Sequence, residues 1–207
     1  MKDFFLVKYA PEILQHTLEH LFLVGIAIGI AIIVGIPLGI LITRKTYLRQ
    51  PILGIANIFQ TIPSLALFGL LIPIAGIGVV PAIIALTLYS FLPIIRNTYT
   101  GITGVDPAIR EAGRGMGMTD RQLLLQVEIP LAMGVILAGV RVATVIAVGI
   151  ATIAAAIGAG GLGVFIFRGI SVVNDQLILA GAVPAAVIAL LADFAIGWME
   201  NKLKIKS

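Results

Sequence analysis

The segment GVDPAIREAGRGMGMTDRQLLLQVEIP, residues 104–130, is a charged stretch set between long apolar runs, and this contrast decides the fold class. Of the 207 residues, 59% are hydrophobic and only 12% are charged. A soluble domain carries about 25% charged residues, whereas a run of about 20 apolar residues crosses the hydrocarbon core of a bilayer. We therefore predict an all-α integral membrane protein with one long polar excursion.

Five membrane-spanning helices are predicted from the apolar runs. They cover about residues 21–42, 51–72, 79–95, 130–150 and 177–198. Span one contains two pairs of small residues, Gly25 with Gly29 and Gly35 with Gly39, which let a neighbouring helix approach closely. Span two is interrupted by TIPS, residues 61–64, because proline cannot donate a helical hydrogen bond.

The positive charges predict the orientation of the chain. If the loop after span one is cytoplasmic, ten Lys and Arg residues lie inside and three lie outside, which are Lys2, Lys8 and Arg168. Cytoplasmic loops are enriched in Lys and Arg. We therefore expect an extracellular tail at residues 1–15 and a cytoplasmic tail at residues 199–207, with the transmembrane domain between them.

The segment at residues 151–170 is apolar enough to form a sixth span. A sixth crossing would place either the polar stretch at residues 104–128 or the lysine-rich tail on the wrong side. We predict a re-entrant or interfacial segment instead. Irregular backbone at membrane depth is tolerated where it is buried in protein or lines a cavity, so this segment is expected to lie against the solute pathway.

The polar stretch begins with a predicted short helix. Asp106 is a good N-cap residue, and Pro107 suits the first helical position, where its missing N–H costs nothing. The helix is expected to run to about Arg114. Gly115 and Gly117 end it, because glycine adopts positive φ without steric cost.

A second short helix is predicted after the glycines. Thr119 caps it, and Gln122, three residues on, is the capping-box partner. Pro130 is expected to separate this helix from span four. Two short helices at a sharp turn on the membrane surface make a knob that suits docking into a groove on another protein.

The polar stretch resembles the loop of type I ABC importer permeases, whose pattern is Glu-Ala-Ala, three residues, Gly, nine residues, then Ile-x-Leu-Pro. The matching positions are Glu111, Ala112, Gly113, Gly117, Val127, Glu128, Ile129 and Pro130. Gly113 replaces alanine, and two aliphatic residues are exchanged. We expect Gly113 to loosen the helix by up to about 1 kcal/mol. The resemblance implies a coupling loop that docks on an ATPase, with Asp106, Glu111, Ala112, Gly113, Gly117 and Pro130 as its site residues.

Three further segments look like the osmoprotectant branch of these permeases, which takes up glycine betaine, carnitine, choline or proline-like solutes. They are residues 60–67, 92–101 and 157–163, and the similarity covers about residues 16–198. It implies a type I permease fold in the bacterial cytoplasmic membrane. It also implies two ATPase subunits, a second permease subunit that is identical or paralogous, and an extracellular substrate-binding protein.

Several other functions are not favoured. No G-x-x-x-x-G-K-[ST] motif occurs in the chain, so we expect no enzyme activity here and assign ATP and Mg to the partner ATPase. The net charge of +4 fits positive cytoplasmic loops, and no nucleic-acid partner is expected. Gly158, Gly160 and Gly163 spell a dinucleotide-type motif, but the preceding segment is a spanning helix rather than the strand that such a site needs.

His16 and His20 are four residues apart, with Glu12 and Glu19 nearby. On a helix, such histidines could bind a metal ion. We favour an interfacial helix that orients span one, with its polar residues facing water, and predict no metal site.

Arg141 is a charged residue inside predicted span four. Such residues face a protein interior or a water-filled cavity. Asp193, in predicted span five, is the only acidic residue within the predicted spans, and it is expected to lie nearer the cytoplasm than Arg141. Pairing of Arg141 with Asp193 is one interpretation, although the two depths match poorly. Lining of the solute pathway by Arg141 is the other.

The break in span two has a polar face formed by Asn57, Gln60, Thr61 and Ser64. These side chains either bond to neighbouring helices or line the pathway, and both interpretations stay open. The aromatic cage that binds quaternary ammonium groups is not evident, so the family scheme places selectivity mainly on the binding protein.

The leading functional prediction is a permease that moves compatible solutes across the membrane by alternating access. Alternatives are an ABC permease for another small solute, such as an amino acid-like one, and a stand-alone channel or secondary transporter. The last would need ion-coupling carboxylates at membrane depth, for which Asp193 alone is poor support.

Overall fold

A computed structural model of the protein describes residues 9–203, and the regular structure in that range is helical. The nine α-helices in the described range are α1 (Ala10–Arg44), α2 (Arg49–Thr61), α3 (Ser64–Ala75), α4 (Val79–Thr103), α5 (Pro107–Gly115), α6 (Asp120–Leu123), α7 (Ile129–Ile153), α8 (Gly163–Ser171) and α9 (Asp175–Leu203). The predicted all-α class is therefore confirmed. Lys2, Lys8, Lys204 and Lys206, which entered the orientation argument, lie outside the described residues.

Four helical stretches within residues 9–203 are long and apolar enough to cross a membrane, and a fifth is counted if α2 and α3 form one broken span. The four are α1, α4, α9 and the continuous stretch Asp120–Ile157 that contains α7. Helices α2 and α3 meet at 103°. The bend falls at Ile62 and Pro63, whose backbone is extended, at the break that the sequence indicates.

Two helical stretches continue past positions where the sequence indicated an end or a break. Helix α4 continues past residue 95 to Thr103, since the Asn97 amide donates to the Pro93 carbonyl at 2.8 Å and Thr98 is fully buried. Pro130 does not separate the second short helix from α7. It directly follows the π-helical turn Leu124–Glu128, inside the continuous helical stretch Asp120–Ile157.

Helix α4 lies at the centre of the fold and packs against both α1 and α7, while α9 packs against α7 and α8. Glycine allows the closest approaches. A Cβ built on Gly39 would lie 2.5 Å from the Thr98 Cβ, and one on Gly35 would lie 3.0 Å from Ile94. The predicted role of this pair is confirmed.

The glycines nearer the start of α1 behave differently. A Cβ at Gly25 or Gly29 meets no atom within 4 Å among the described residues. These two glycines therefore do not serve packing between the described helices of this chain, and close approach of another helix to them stays a prediction. The core is rich in small side chains, and the fully buried alanines of the described residues are Ala27, Ala31, Ala82, Ala85, Ala143, Ala147, Ala151, Ala154 and Ala180.

The segment that follows α7 folds back on the bundle. A 3₁₀ turn at Ala154–Ile157 leads into a loop with positive φ at Gly158, Gly160 and Gly161. Helix α8 has nine residues, which is about 13 Å of length and too short to cross a bilayer core of about 30 Å. Placement of this segment against the solute pathway stays a prediction.

Candidate coupling loop and polar sites in the membrane domain

The knob, defined here as helices α5 and α6 with the turn between them, has the predicted caps. The Asp106 carboxylate accepts a hydrogen bond from the Ala108 N–H at 2.8 Å. Thr119 and Gln122 form both bonds of a capping box. Gly117 has φ +82°, so it makes the turn, while Gly115 is still helical. The local structure of the loop is confirmed, and its docking role stays a prediction.

The exposed surface of the knob differs from its inner face. Glu111 and Ala112 are exposed, as is Met116 with 77% of its surface accessible. Gly113 is buried, and a Cβ there would lie 2.8 Å from the Leu123 Cδ1. Gly113 therefore lets α5 settle on α6, and the residue that departs from the family pattern does not face a docking partner.

An ion-pair network around the buried Glu128 carboxylate links the knob to the spanning helices. Glu128 is only 1% exposed, and Arg44 donates to both of its carboxylate oxygens. Arg110 Nε lies 3.4 Å from Glu128 Oε1, and the Arg110 guanidinium also donates to the Ile102 carbonyl. From the sequence, Glu128 was predicted only to fill a variable position of the motif. An acidic residue between the aliphatic Val127 and Ile129 could have indicated a buried ion pair.

Arg141 and Asp193 form a bidentate salt bridge, in which Arg141 Nε and Nη2 each lie 2.6 Å from an oxygen of the Asp193 carboxylate. Glu200 lies 3.6 Å from Arg141 Nη1. The pairing interpretation is confirmed. The argued mismatch of depths was wrong, because these direct contacts place the two side chains at the same level of the bundle. The pair lines an open cavity beside Trp198.

At the break in span two, some polar residues bond to α4 and others are accessible. Gln60 donates to the Tyr89 carbonyl at 3.1 Å, and the Tyr89 hydroxyl donates to the Ile62 carbonyl. These bonds hold the bend against α4. Asn57 is exposed and Ser64 is half-buried. Gln60 thus has a bonding role, while lining of the pathway by Asn57, Gln60 and Ser64 stays a prediction.

The histidine and glutamate residues of α1 do not lie on a separate interfacial helix, so that interpretation was wrong. Helix α1 is continuous from Ala10. The fully buried His20 ring contacts the Val148 carbonyl at 3.1 Å, and the Glu19 carboxylate accepts a hydrogen bond from the Gly161 N–H at 2.9 Å. Among the described residues, no group of three or more His, Cys, Asp or Glu side chains could hold a metal ion.

The helical bundle and its capped loop have clear relatives. Residues 35–205 match the family described as binding-protein-dependent transport system inner membrane component. The chain belongs to this family and is a multi-pass protein of the cytoplasmic membrane.

Relatives of similar length cover nearly the whole chain. The carnitine transport permease protein OpuCB of Listeria monocytogenes is 45% identical over 98% of this chain and 93% of its own length. The osmoprotectant import permease protein OsmW of Salmonella typhimurium is 46% identical, over 97% and 94% respectively. The choline transport system permease protein OpuBB of Bacillus subtilis is 45% identical, over 96% and 92%. These relatives are permease subunits of transporters rather than enzymes.

Solved structures show the same fold. An inward-facing structure of the MetNI methionine ABC transporter aligns with a TM-score of 0.83 at 24% identity, over 92% of this chain and 95% of the other. An amino acid ABC transporter crystallised with histidines aligns with a TM-score of 0.78 at 23% identity, over 98% and 100%. The predicted type I importer permease fold is confirmed.

Proposed function

We propose that this chain is the permease of an ATP-driven importer for compatible solutes of the glycine betaine, carnitine and choline class. The observation that carries the proposal is the set of relatives with 45% to 48% identity whose names describe transport of these solutes. The fold and the exposed knob support it, because a permease of this kind needs a surface on which an ATPase acts.

The proposed complex contains two ATPase subunits, which bind ATP and Mg, together with a second permease subunit and an extracellular binding protein. In this proposal Glu111, Ala112 and Met116 face the ATPase, since all three are exposed on the knob. Closure of the ATPases on ATP displaces the knob, and the spanning helices exchange between inward-facing and outward-facing arrangements.

The proposed orientation puts the knob in the cytoplasm. Arg110, Arg114 and Arg121 all lie on or beside it, and positive charge is enriched on the cytoplasmic side of membrane proteins. The glycine loop at residues 158–161 and the start of α1 then face outward, where a binding protein would deliver solute.

The pathway is proposed to pass the polar groups at membrane depth. Asn57 and Ser64 at the α2–α3 bend are candidates because their side chains are accessible. Arg141 is a second candidate, since 37% of its side chain is accessible even though it is paired with Asp193. Gln60 is the weakest of the four candidates, because its amide is engaged by Tyr89.

The test is reconstitution of the complete complex in proteoliposomes with ATP inside and binding protein outside. We expect labelled glycine betaine, carnitine or choline to accumulate only when ATP is present. Accumulation of an amino acid with none of these three transported would contradict the assigned solute class. Uptake by the permease alone, without the ATPase, would contradict an ATP-driven importer and favour a secondary transporter.

A further inference from the structure

The Glu128 network joins four separate elements at the knob end of the bundle. Arg44 is the last residue of α1 and Arg110 lies in α5. Glu128 ends a π-helical turn that leads into α7, and the Ile102 carbonyl, which accepts a hydrogen bond from Arg110, lies near the end of α4. Three spanning helices and the knob therefore meet at one carboxylate and two guanidinium groups.

The burial of Glu128 makes this junction stiff. A buried carboxylate is costly unless it is paired and hydrogen-bonded, and Glu128 is 1% exposed. Arg44 occupies both of its oxygens, and Arg110 stands against one of them. Sliding of α5 past the helix ends would pull Arg110 away from a carboxylate that is itself buried, so displacement of α5 as a unit with the helix ends is favoured.

The other firm contact of α5 stays within the knob. Gly113 packs on Leu123 and Met118, which fixes α5 to α6. Arg110, in contrast, connects α5 to the ends of the spanning helices. A π-helical turn next to this contact is a further indication, because such turns occur frequently at functional sites.

We propose that Glu128 is a positioning residue that transmits displacement of the knob to α1, α4 and α7 together through Arg44 and Arg110. This inference rests on the proposed function, in which an ATPase moves the knob. Glu128 then does more than stabilise the fold: it sets how much solute movement each hydrolysed ATP produces.

The decisive measurement is the ratio of solute imported to ATP hydrolysed in proteoliposomes that contain the complete complex. Glu128→Gln keeps the shape of the side chain and removes its charge, and Arg110→Gln removes the partner. We expect each variant to assemble and hydrolyse ATP while the ratio falls, because the knob then moves without carrying the helix ends with it. The double variant is expected to lose no more than either single variant, because the two residues act as one unit.

The matched control is Lys45→Gln. Lys45 follows Arg44 directly and is exposed, so its replacement removes one positive charge at the same place without touching the network. We expect the ratio to match that of the unmodified complex. A parallel fall of uptake and hydrolysis in Glu128→Gln, with the ratio unchanged, would make Glu128 a residue of fold stability only and would overturn the inference.

A second measurement does not depend on the solute, so it separates this inference from the proposed function. The chain has no cysteine, and Tyr47 and Met116 are 72% and 77% exposed. Spin labels at Tyr47→Cys and Met116→Cys report the distance between the end of α1 and the knob. We expect a narrow distribution that broadens with Glu128→Gln, because the uncharged amide no longer holds Arg44 and Arg110 as an ion pair would. An unchanged width would overturn the inference, whatever solute is transported.

Discussion

At the scale of single residues, local chemistry was predictable and partners distant in sequence were not. Asp106, Thr119 and Gln122 form their predicted caps because each acts within three residues of its own position. The partners of Glu128 could not be predicted in the same way. Arg44 is 84 positions away, and only the packing of α1 against α4 and α7 brings the two together.

One prediction at this scale concerns Gly139 in α7. A Cβ there would lie 2.5 Å from the Asn97 Cβ and 2.8 Å from the Pro93 carbonyl oxygen, which belongs to the backbone and cannot rotate away. We expect Gly139→Ala to destabilise the protein by about 1–3 kcal/mol, the usual cost of overpacking. Thermal unfolding in detergent measures it.

Gly149 supplies the matched control for that substitution. It lies on the same helix, and a Cβ there meets nothing within 4 Å in the described residues. Gly149→Ala is expected to leave the unfolding temperature unchanged or slightly higher, because alanine favours the helix. Equal effects of both substitutions would show that α7 and α4 do not approach closely at Gly139.

A second prediction at this scale concerns the Arg141 salt bridge. Asp193 makes two contacts of 2.6 Å with Arg141, whereas Glu200 approaches it at 3.6 Å. We expect Asp193→Asn to lower the unfolding temperature by a few degrees and Glu200→Gln to lower it less. A larger effect of Glu200→Gln would contradict the arrangement of the two carboxylates.

At the scale of helices, the sequence predicted where helices exist better than where they end. Helices α4 and α9 extend beyond the apolar runs from which they were predicted. Polar residues such as Asn97 continue a helix once a neighbouring helix packs against it. Positions counted along separate predicted spans do not give the relative heights of two packed helices, which the 2.6 Å contacts of the Arg141–Asp193 pair show directly.

The prediction at this scale concerns the turn inside the knob. Gly117 has φ +82°, and a left-handed conformation costs a non-glycine residue about 1–2 kcal/mol. We expect Gly117→Ala to disturb the relation of α5 to α6 and to lower ATP-coupled uptake severalfold. Uptake by reconstituted complexes measures it, together with recovery of the ATPase on purification.

Gly115→Ala is the control for this turn. Gly115 is two residues away, is helical, and a Cβ there meets no atom within 4 Å in the described part of the chain. We expect normal uptake. Normal uptake in Gly117→Ala as well, and in Glu111→Ala on the exposed face, would remove the docking role from this loop.

At the scale of the whole molecule, composition predicted the class of protein, and the charges give an orientation that stays a prediction. The angle of the bend between α2 and α3 needed the structure. The motif TIPS indicates a break, but its size of 103° depends on Tyr89 of α4, which bonds to Ile62 across the bend. Sequence spacing does not carry that information.

The orientation is testable with single cysteines in this cysteine-free chain. Met116 lies on the knob and Val172 follows α8, and they are 77% and 60% exposed. We expect a membrane-impermeant maleimide added to intact cells to label Val172→Cys and to leave Met116→Cys unlabelled until the membrane is opened. The reverse pattern would invert the proposed topology.

Helix α1 also has a geometric consequence. Its 35 residues make a rod about 52 Å long, which exceeds the bilayer core of about 30 Å. Arg44, at one end, belongs to the Glu128 network, and Glu19, towards the other end, holds the Gly161 backbone. A rotation of this rod by about 10° around its midpoint would carry each tip roughly 4–5 Å. A force that tilts α1 at the Arg44 end would thus also move the Glu19 end, on the opposite side of the membrane.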